Sequence, residues 1–210
     1  MTGIDPTKLI QLPADGYGRA GEVLGRAFQE DPLWQATFLD SDRSKSLVAM
    51  FTAVVRAITA AQGIAETTTG VDAVALWLPP GKDLGRWSVF RSGFALPRFA
   101  IRLPASDRKR MMRVLRQLDK RKKALIAEPH WYLAAVGVDP AWQGEGLGSR
   151  LVLSGIRRAE EANVPVYLET ETEGNVGFYE HLGFDVIEQV TAVGLELPIW
   201  LMVRLPVAGN

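Results

Sequence analysis

The chain has 210 residues, 47% of them hydrophobic, with 24 basic and 24 acidic side chains and no cysteine. That is enough apolar material for one medium core, while the balanced charge gives no global attraction to nucleic acid or to an anionic membrane. The missing thiols exclude disulfides, a cysteine nucleophile and thiolate metal sites, and the two histidines, His130 and His181, leave too little for an imidazole centre, so no metal is expected.

The first residues lack a basic start followed by an apolar core, so no secretory leader is expected and a cytoplasmic protein is the default. Thr7 to Pro13 reads as a short strand. From Gly16 to Pro32, Val23, Leu24, Ala27 and Phe28 recur at helical spacing, and Pro32 reads as the stop. Ser41 to Gly63 reads as a second helix, with Ser41 or Asp42 as its cap and Gly63 as its end. Ile64 to Gly70 and Val71 to Gly81 read as two strands joined by a turn at Gly70. Gly85 to Pro129 is the least regular portion. Its first half is apolar with interleaved arginines. Its second half is a basic helix that Ser106 can cap, with a partial stripe of Met111, Val114, Leu115, Leu118 and Leu125.

Beyond it, Trp131 to Val138 reads as a strand, followed by a Pro140 turn, a glycine-rich loop and an amphipathic helix. Val164 to Thr170 is a further strand, Gly174 to Gly183 a short helix, and Phe184 to Val190 and Glu196 to Pro206 the last two strands. No run reaches the roughly 20 apolar residues of a membrane helix. The predicted fold is α/β, a mixed α+β single domain over residues 1–210 with one central sheet flanked by helices and a helical insertion over about 85–129.

The glycine loop carries the chemistry. Gly144, Gly146 and Gly148 expose backbone where a helix begins. A P-loop is excluded, because Ser149 and Arg150 follow the last glycine where Lys and Ser or Thr are required. A dinucleotide fingerprint is disfavoured, because its third glycine is Ser149 and the motif lies two-thirds along the chain. What remains is a cradle of N–H groups from about Gly144 to Ser149, reinforced by the helix dipole and suited to a pyrophosphate. Leu147, Leu151, Val152, Ile156 and Ala159 supply the helix's apolar face.

Gln143-x-x-Gly146-x-Gly148, followed by Asn175-Val-Gly-Phe178-Tyr179 and Leu182-Gly-Phe184, resembles the acyl-CoA motifs of the GCN5-related N-acetyltransferase (GNAT) family. The resemblance covers about residues 131–190 and is closest to drug-acetylating members. It implies a GNAT-like, mostly antiparallel mixed sheet and acetyl-CoA as cofactor. It implies cofactor contacts from Val136, Gly137, Val138, Gln143, Gly144, Glu145, Gly146, Leu147, Gly148, Ser149, Asn175 and Tyr179. The pantetheine arm would pair with the backbone of Val136, Gly137 and Val138, and the Val138 amide would polarise the thioester carbonyl. Glu145 departs from the pattern, standing where a drug-modifying member has a basic residue, and its carboxylate is expected in solvent.

Tyr179 is the expected general acid, against the alternative of a core aromatic. Glu169 is the expected base, with Glu171, His130 or an ordered water as alternatives. Asn175 either caps its helix or bonds the cofactor arm. Phe28, Asp31, Trp34 and His130 are the expected acceptor contacts, an aromatic wall with an acid that suits a cationic amine. Trp87, Phe90 and Phe94 could cover the site or an interface. The expected function is direct acetyl transfer to a primary amine of a small molecule; alternatives are a protein or peptide amine acetyltransferase and a non-catalytic acyl-CoA-binding module. The expected partner is that amine, with no nucleic acid and no membrane, in a monomer or homodimer.

Overall fold

The computed structural model describes residues 8–207. Thr7, taken as the start of the first strand, lies outside them; the strand itself is β1, Leu9–Gln11. Three helices follow: α1 (Tyr17–Ala27), α2 (Pro32–Thr37) and α3 (Arg43–Ala60). The chain then forms β2 (Ile64–Thr68) and β3 (Ala73–Leu78), and fills the irregular region with α4 (Arg86–Arg91), α5 (Ala95–Ala100) and α6 (Ala105–Leu125). The second half runs β4 (Trp131–Val138), α7 (Leu147–Glu161), β5 (Val166–Thr170), α8 (Glu173–His181), β6 (Asp185–Thr191) and β7 (Pro198–Arg204).

Two local expectations are corrected. Pro32 starts a helix instead of merely ending one. Proline is tolerated at the first helical position, where its missing N–H would be unpaired anyway, and Asp31 caps that position by accepting from the amides of Leu33 and Trp34. Ser106 does not cap α6, which begins one residue earlier; its hydroxyl donates instead to Asp40. Asp42, one of the two caps considered for α3, accepts from the Lys45 amide.

The seven strands form one sheet in the order β1-β2-β3-β4-β5-β7-β6. Every neighbouring pair is antiparallel except β4 and β5. The last strand inserts between β5 and β6. Alternation along each strand sends side chains to two helical layers. On one face, Val74, Leu76 and Ala135 pack with Leu24, Leu47 and Ile58 of α1 and α3. On the other, Ala75, Trp77, Leu133 and Leu168 pack with Leu151, Val152 and Ile156 of α7. Helix α6 buries Val114 and Leu118 against Tyr167, Ile199 and Leu201 of the distal strands. Its cations are partly spent on holding it there: Arg110 pairs with Asp107 and Asp40, and Arg121 with Glu188 on β6. Buried Asp107 also accepts from the amides of Leu39 and Asp40, tying α6 to the loop after α2.

Candidate active site

The site begins with an irregularity in β4. Leu76 of β3 faces Ala135, but Trp77 faces Leu133, so β4 carries one extra residue, Ala134. A bulge of this kind swaps the faces of all later residues. Trp131 and Leu133 accordingly pack towards α7, whereas Ala135 and Gly137 face α1. Gly137 is needed for that approach: a Cβ there would lie 2.9 Å from both Ala27 Cβ and Leu24 Cδ2.

Beside the bulge the parallel neighbour departs. Strands β4 and β5 pair only at Trp131 with Val166 and at Tyr132 with Tyr167. From there on, the β5 side of β4 is an open edge. The Asp139 amide donates to Asp72 O at 2.8 Å, so by antiparallel alternation Gly137 also directs its N–H and C=O towards β3. Gly137, expected to offer its backbone to a cofactor arm, therefore contributes its lack of a side chain instead. Val136 and Val138 turn their polar groups towards the gap, and Gln143 caps the edge by donating from Nε2 to Val138 O at 3.3 Å.

The loop after β4 is braced from the acceptor side. Asp139 accepts from the Ala141 amide and from Arg26 Nε and Nη2 of α1, the latter at 2.5 Å. Burial opposes ionisation of Asp139, but the Arg26 guanidinium and the Ala141 amide outweigh it and hold the carboxyl below its usual range. Gly144 and Gly146 then adopt φ of +88° and +72°, with no atom within 4 Å of where a Cβ would stand. The left-handed conformation favours glycine, and the open space leaves the backbone uncovered. Gly146 occupies the N-cap of α7 without a side-chain cap. The amides from Gly144 to Ser149 have no acceptor among the described residues, and the first bond of the helix is Arg150 N to Gly146 O. Glu145 is exposed, as expected, and Leu147 is buried under the helix, so these two can serve an anion only through backbone, whereas half-buried Ser149 also has a hydroxyl to offer.

Between the gap in the sheet and helices α1, α2 and α6 lies a cavity of about 530 Å³. It brings together Val136, Gly137 and Val138, Gln143 and Gly148, Asn175 and Tyr179, and the acceptor candidates Phe28, Asp31 and Trp34. Glu169 and Glu171 line it too. Glu30 is a fourth carboxylate on the wall, and no lysine, arginine or histidine lines it among the described residues. His130 stands apart. It is half-buried against the Tyr167 ring, 5.9 Å between centroids, with Nδ1 2.8 Å from Glu128 O, so the structure does not bring it to the acceptor contacts where it was expected.

The carboxylates disturb one another. Burial pushes Asp31 up to about 6, against the pull of the two amides it caps. Burial also raises Glu171 well above the carboxylate range, and the charges of Asp31 and Glu169 add to this. Glu169 is raised by burial and lowered by Lys122 and by the hydroxyls of Tyr132 and Tyr167, neither of which reaches normal hydrogen-bond geometry with it. Lys122 lies over the Tyr132 ring, 4.1 Å from its centroid, behind the cavity wall. Tyr179 is 7% exposed, held edge-on by Phe178 and Phe184, with no partner for its hydroxyl among the described residues. Burial and the Glu171 charge push its phenol above the ordinary value, so it stays protonated through neutral pH. Asn175 does not cap α8. Thr172 does, accepting from the Asn175 amide at 3.2 Å, which leaves the Asn175 side chain to the cavity. Among the described residues no three His, Cys, Asp or Glu side chains are grouped so that they could hold a metal ion.

Sequence reasoning missed Tyr132, Glu30 and the share of α6 in the wall through Leu115 and Leu118. Tyr132 carried a weak signal, being the polar-tipped residue of an apolar strand. The others are set by how α2 and α6 cross the sheet, which no local pattern records.

Comparison with known proteins follows this geometry. A model of the acetyltransferase (GNAT) family matches residues 111–184. An uncharacterized N-acetyltransferase of Schizosaccharomyces pombe is 28% identical over 206 residues, covering 93% of this chain and 82% of the relative. Mycothiol acetyltransferase of Nocardiopsis dassonvillei is 45% identical over 60 residues, 27% of this chain and 18% of that protein. Among solved structures, a histone acetyltransferase HPA2 and related acetyltransferase from Corynebacterium glutamicum superposes with a TM-score of 0.71 at 22% identity, covering 97% of this chain and 98% of the other. An agmatine N-acetyltransferase superposes with a TM-score of 0.63 at 14% identity, covering 94% and 98%.

Proposed function

We propose that the chain is an N-acetyltransferase of the GNAT family, whose model matches residues 111–184, and that it transfers the acetyl group of acetyl-CoA to a cationic primary amine of a small molecule. The observation that carries the acceptor class is the cavity wall: four carboxylates, Glu30, Asp31, Glu169 and Glu171, with Phe28, Trp34 and Tyr132 and no cation. Glu30 is exposed, but Asp31, Glu169 and Glu171 are half-buried; partly desolvated carboxylates crowded together are costly without a counter-charge, and an ammonium beside aromatic faces supplies one.

Acetyl-CoA is implied by the family, and when bound it supplies an acetyl group activated as a thioester. The residues fit it. The uncovered amides between Gly144 and Ser149 suit a diphosphate. The open edge of β4 at Val136 and Val138 suits an extended amide-bearing arm. In the transfer, the carboxylate cluster binds the ammonium and Glu169 or Glu171 takes a proton from it, leaving a nucleophilic nitrogen. With the thioester bound beside it, that nitrogen would face the acetyl carbonyl, and the Val138 amide would hold the charge gathering on the carbonyl oxygen. The Tyr179 phenol would supply the proton that the departing sulfur needs and regain one from the newly acylated nitrogen, so the ammonium's one net proton stays on the glutamate. With no thiol in the chain, direct transfer needs no covalent enzyme intermediate.

The test is a thermal shift with acetyl-CoA, followed by a screen for free-thiol release over cationic amines, uncharged amines, peptide N-termini and lysine peptides. A rise in melting temperature with turnover confined to small cationic amines is expected. Preference for peptides would remove the small-molecule reading, and binding without turnover on any amine would leave a cofactor-binding module.

A further inference from the structure

We propose that the α4–α5 segment is a docking surface for a lipid bilayer bearing anionic headgroups. The segment lies outside the acetyl-transfer cavity. Trp87, Phe90, Phe94 and Ile101 are 80%, 62%, 50% and 71% exposed. The three aromatic rings meet edge to face, with centroids 6.4 Å apart for Trp87 and Phe90 and 6.1 Å for Phe90 and Phe94. They therefore form one ridge instead of scattered exposed groups, and ridges of that kind mark interaction sites.

Charge identifies the occupant. From Leu84 to Ser106 the sequence holds four arginines and no acid. Arg98 and Arg102 line a second groove of about 530 Å³ between α3 and α5, with Arg56 and Lys45 across from them. The one carboxylate in that groove, Asp42, is taken by Lys45 at 3.0 Å. An apolar aromatic ridge beside unneutralised arginines matches the bilayer interface, where rings settle at headgroup depth and cations meet lipid phosphate. A second copy is disfavoured, because a two-fold contact would set like charges against each other. No helix among the described residues is long and apolar enough to cross a membrane, so the contact is peripheral.

The experiment is co-sedimentation of the full chain with phosphatidylcholine vesicles, with and without phosphatidylserine. Binding should be about tenfold tighter with phosphatidylserine and should weaken as salt rises. Trp87→Ser and the pair Arg98→Glu/Arg102→Glu should each reduce it about tenfold, while Leu39→Ser, an exposed residue after α2, leaves it unchanged. All variants should keep acetyl transfer in solution, which shows that they fold. The proposal is overturned by equal binding to both vesicles, by binding that the variants leave intact, or by no vesicle binding at all. It is equally overturned by a dimer mass that the Trp87 variant abolishes, or by inorganic phosphate shifting the melting temperature through Arg98 while vesicles stay free.

Discussion

The two ends of the cavity suit opposite charges by opposite means. At the β4–α7 loop the donors are backbone: the amides of Gly144 to Ser149 have no acceptor among the described residues, and the two left-handed glycines, Gly144 and Gly146, are exposed. At the acceptor end, the work is done by side chains, Asp31, Glu169 and Glu171, half-buried and crowded until their ionisation is disturbed. The contrast has a physical reason. Backbone dipoles bind an anion with no net charge to desolvate, so the loop can stay open and be ordered by helix geometry alone. Carboxylates bind a cation by a charge that burial makes expensive, so they need a rigid enclosure of sheet, α2 and α6 to persist. Tyr179 stands where the two ends meet, lining the same cavity as Gly148 and Glu171.

That division can be broken at its junction first. Tyr179→Phe keeps the ring packed against Phe178 and Phe184 but deletes the proton, so kcat should fall about 100-fold while the KM for acetyl-CoA stays within about twofold. An unaltered kcat in steady-state assays would strip Tyr179 of the acid role. Next comes the acceptor end. Glu171→Gln should cut kcat/KM for a cationic amine about 30-fold without changing acetyl-CoA affinity, as expected when one charge of a buried interaction is lost. Calorimetry showing weakened cofactor binding instead would erase the distinction between the ends. Gly146→Val tests the loop from the other direction. A branched side chain at φ +72° is strained, and acetyl-CoA affinity should drop about tenfold with the KM for amine unchanged.

The smallest effect concerns stability. Asp31 is raised from 3.8 to about 6 in the folded protein, so the native state binds this proton more readily than the unfolded chain. Above that folded value both states are ionised and the full burial cost is present. As pH falls from about 6 towards 3.8, native Asp31 is protonated first and the cost is relieved. Asp31→Asn retains a cap for α2 and removes the cost. Its melting temperature should exceed that of the parent by a few degrees at neutral pH, with the advantage fading towards acid. A constant advantage across the titration would show that Asp31 bears no such penalty.

What could be read in advance differs between the same two ends. The loop was legible because its determinants are local: Pro140 for the turn, Gly144 and Gly146 for the left-handed backbone, and Leu147, Leu151 and Ile156 for the buried face of α7. The acceptor end was legible only as residue types. Asp31, Trp34 and Glu169 were recognisable candidates, yet the pairing of Asp31 with Glu171 joins an α2 cap to the residue just after β5. His130 misled because it adjoins β4 in sequence, while the structure turns it onto Tyr167.

The sequence by itself determined the strand–loop–helix that exposes backbone to an anion, because turn chemistry, glycine conformation and 3.6-residue periodicity act within a few residues. Only the tertiary structure decided the extra residue at Ala134, the parting of β5 from β4 after Tyr132, and the insertion of β7 between β5 and β6. The buried–exposed alternation of β4 runs unbroken through the bulge, so no periodicity betrays the change of face. Strand pairing is a contest among distant segments for the same ladder of hydrogen bonds, and its outcome is written in no single stretch of chain.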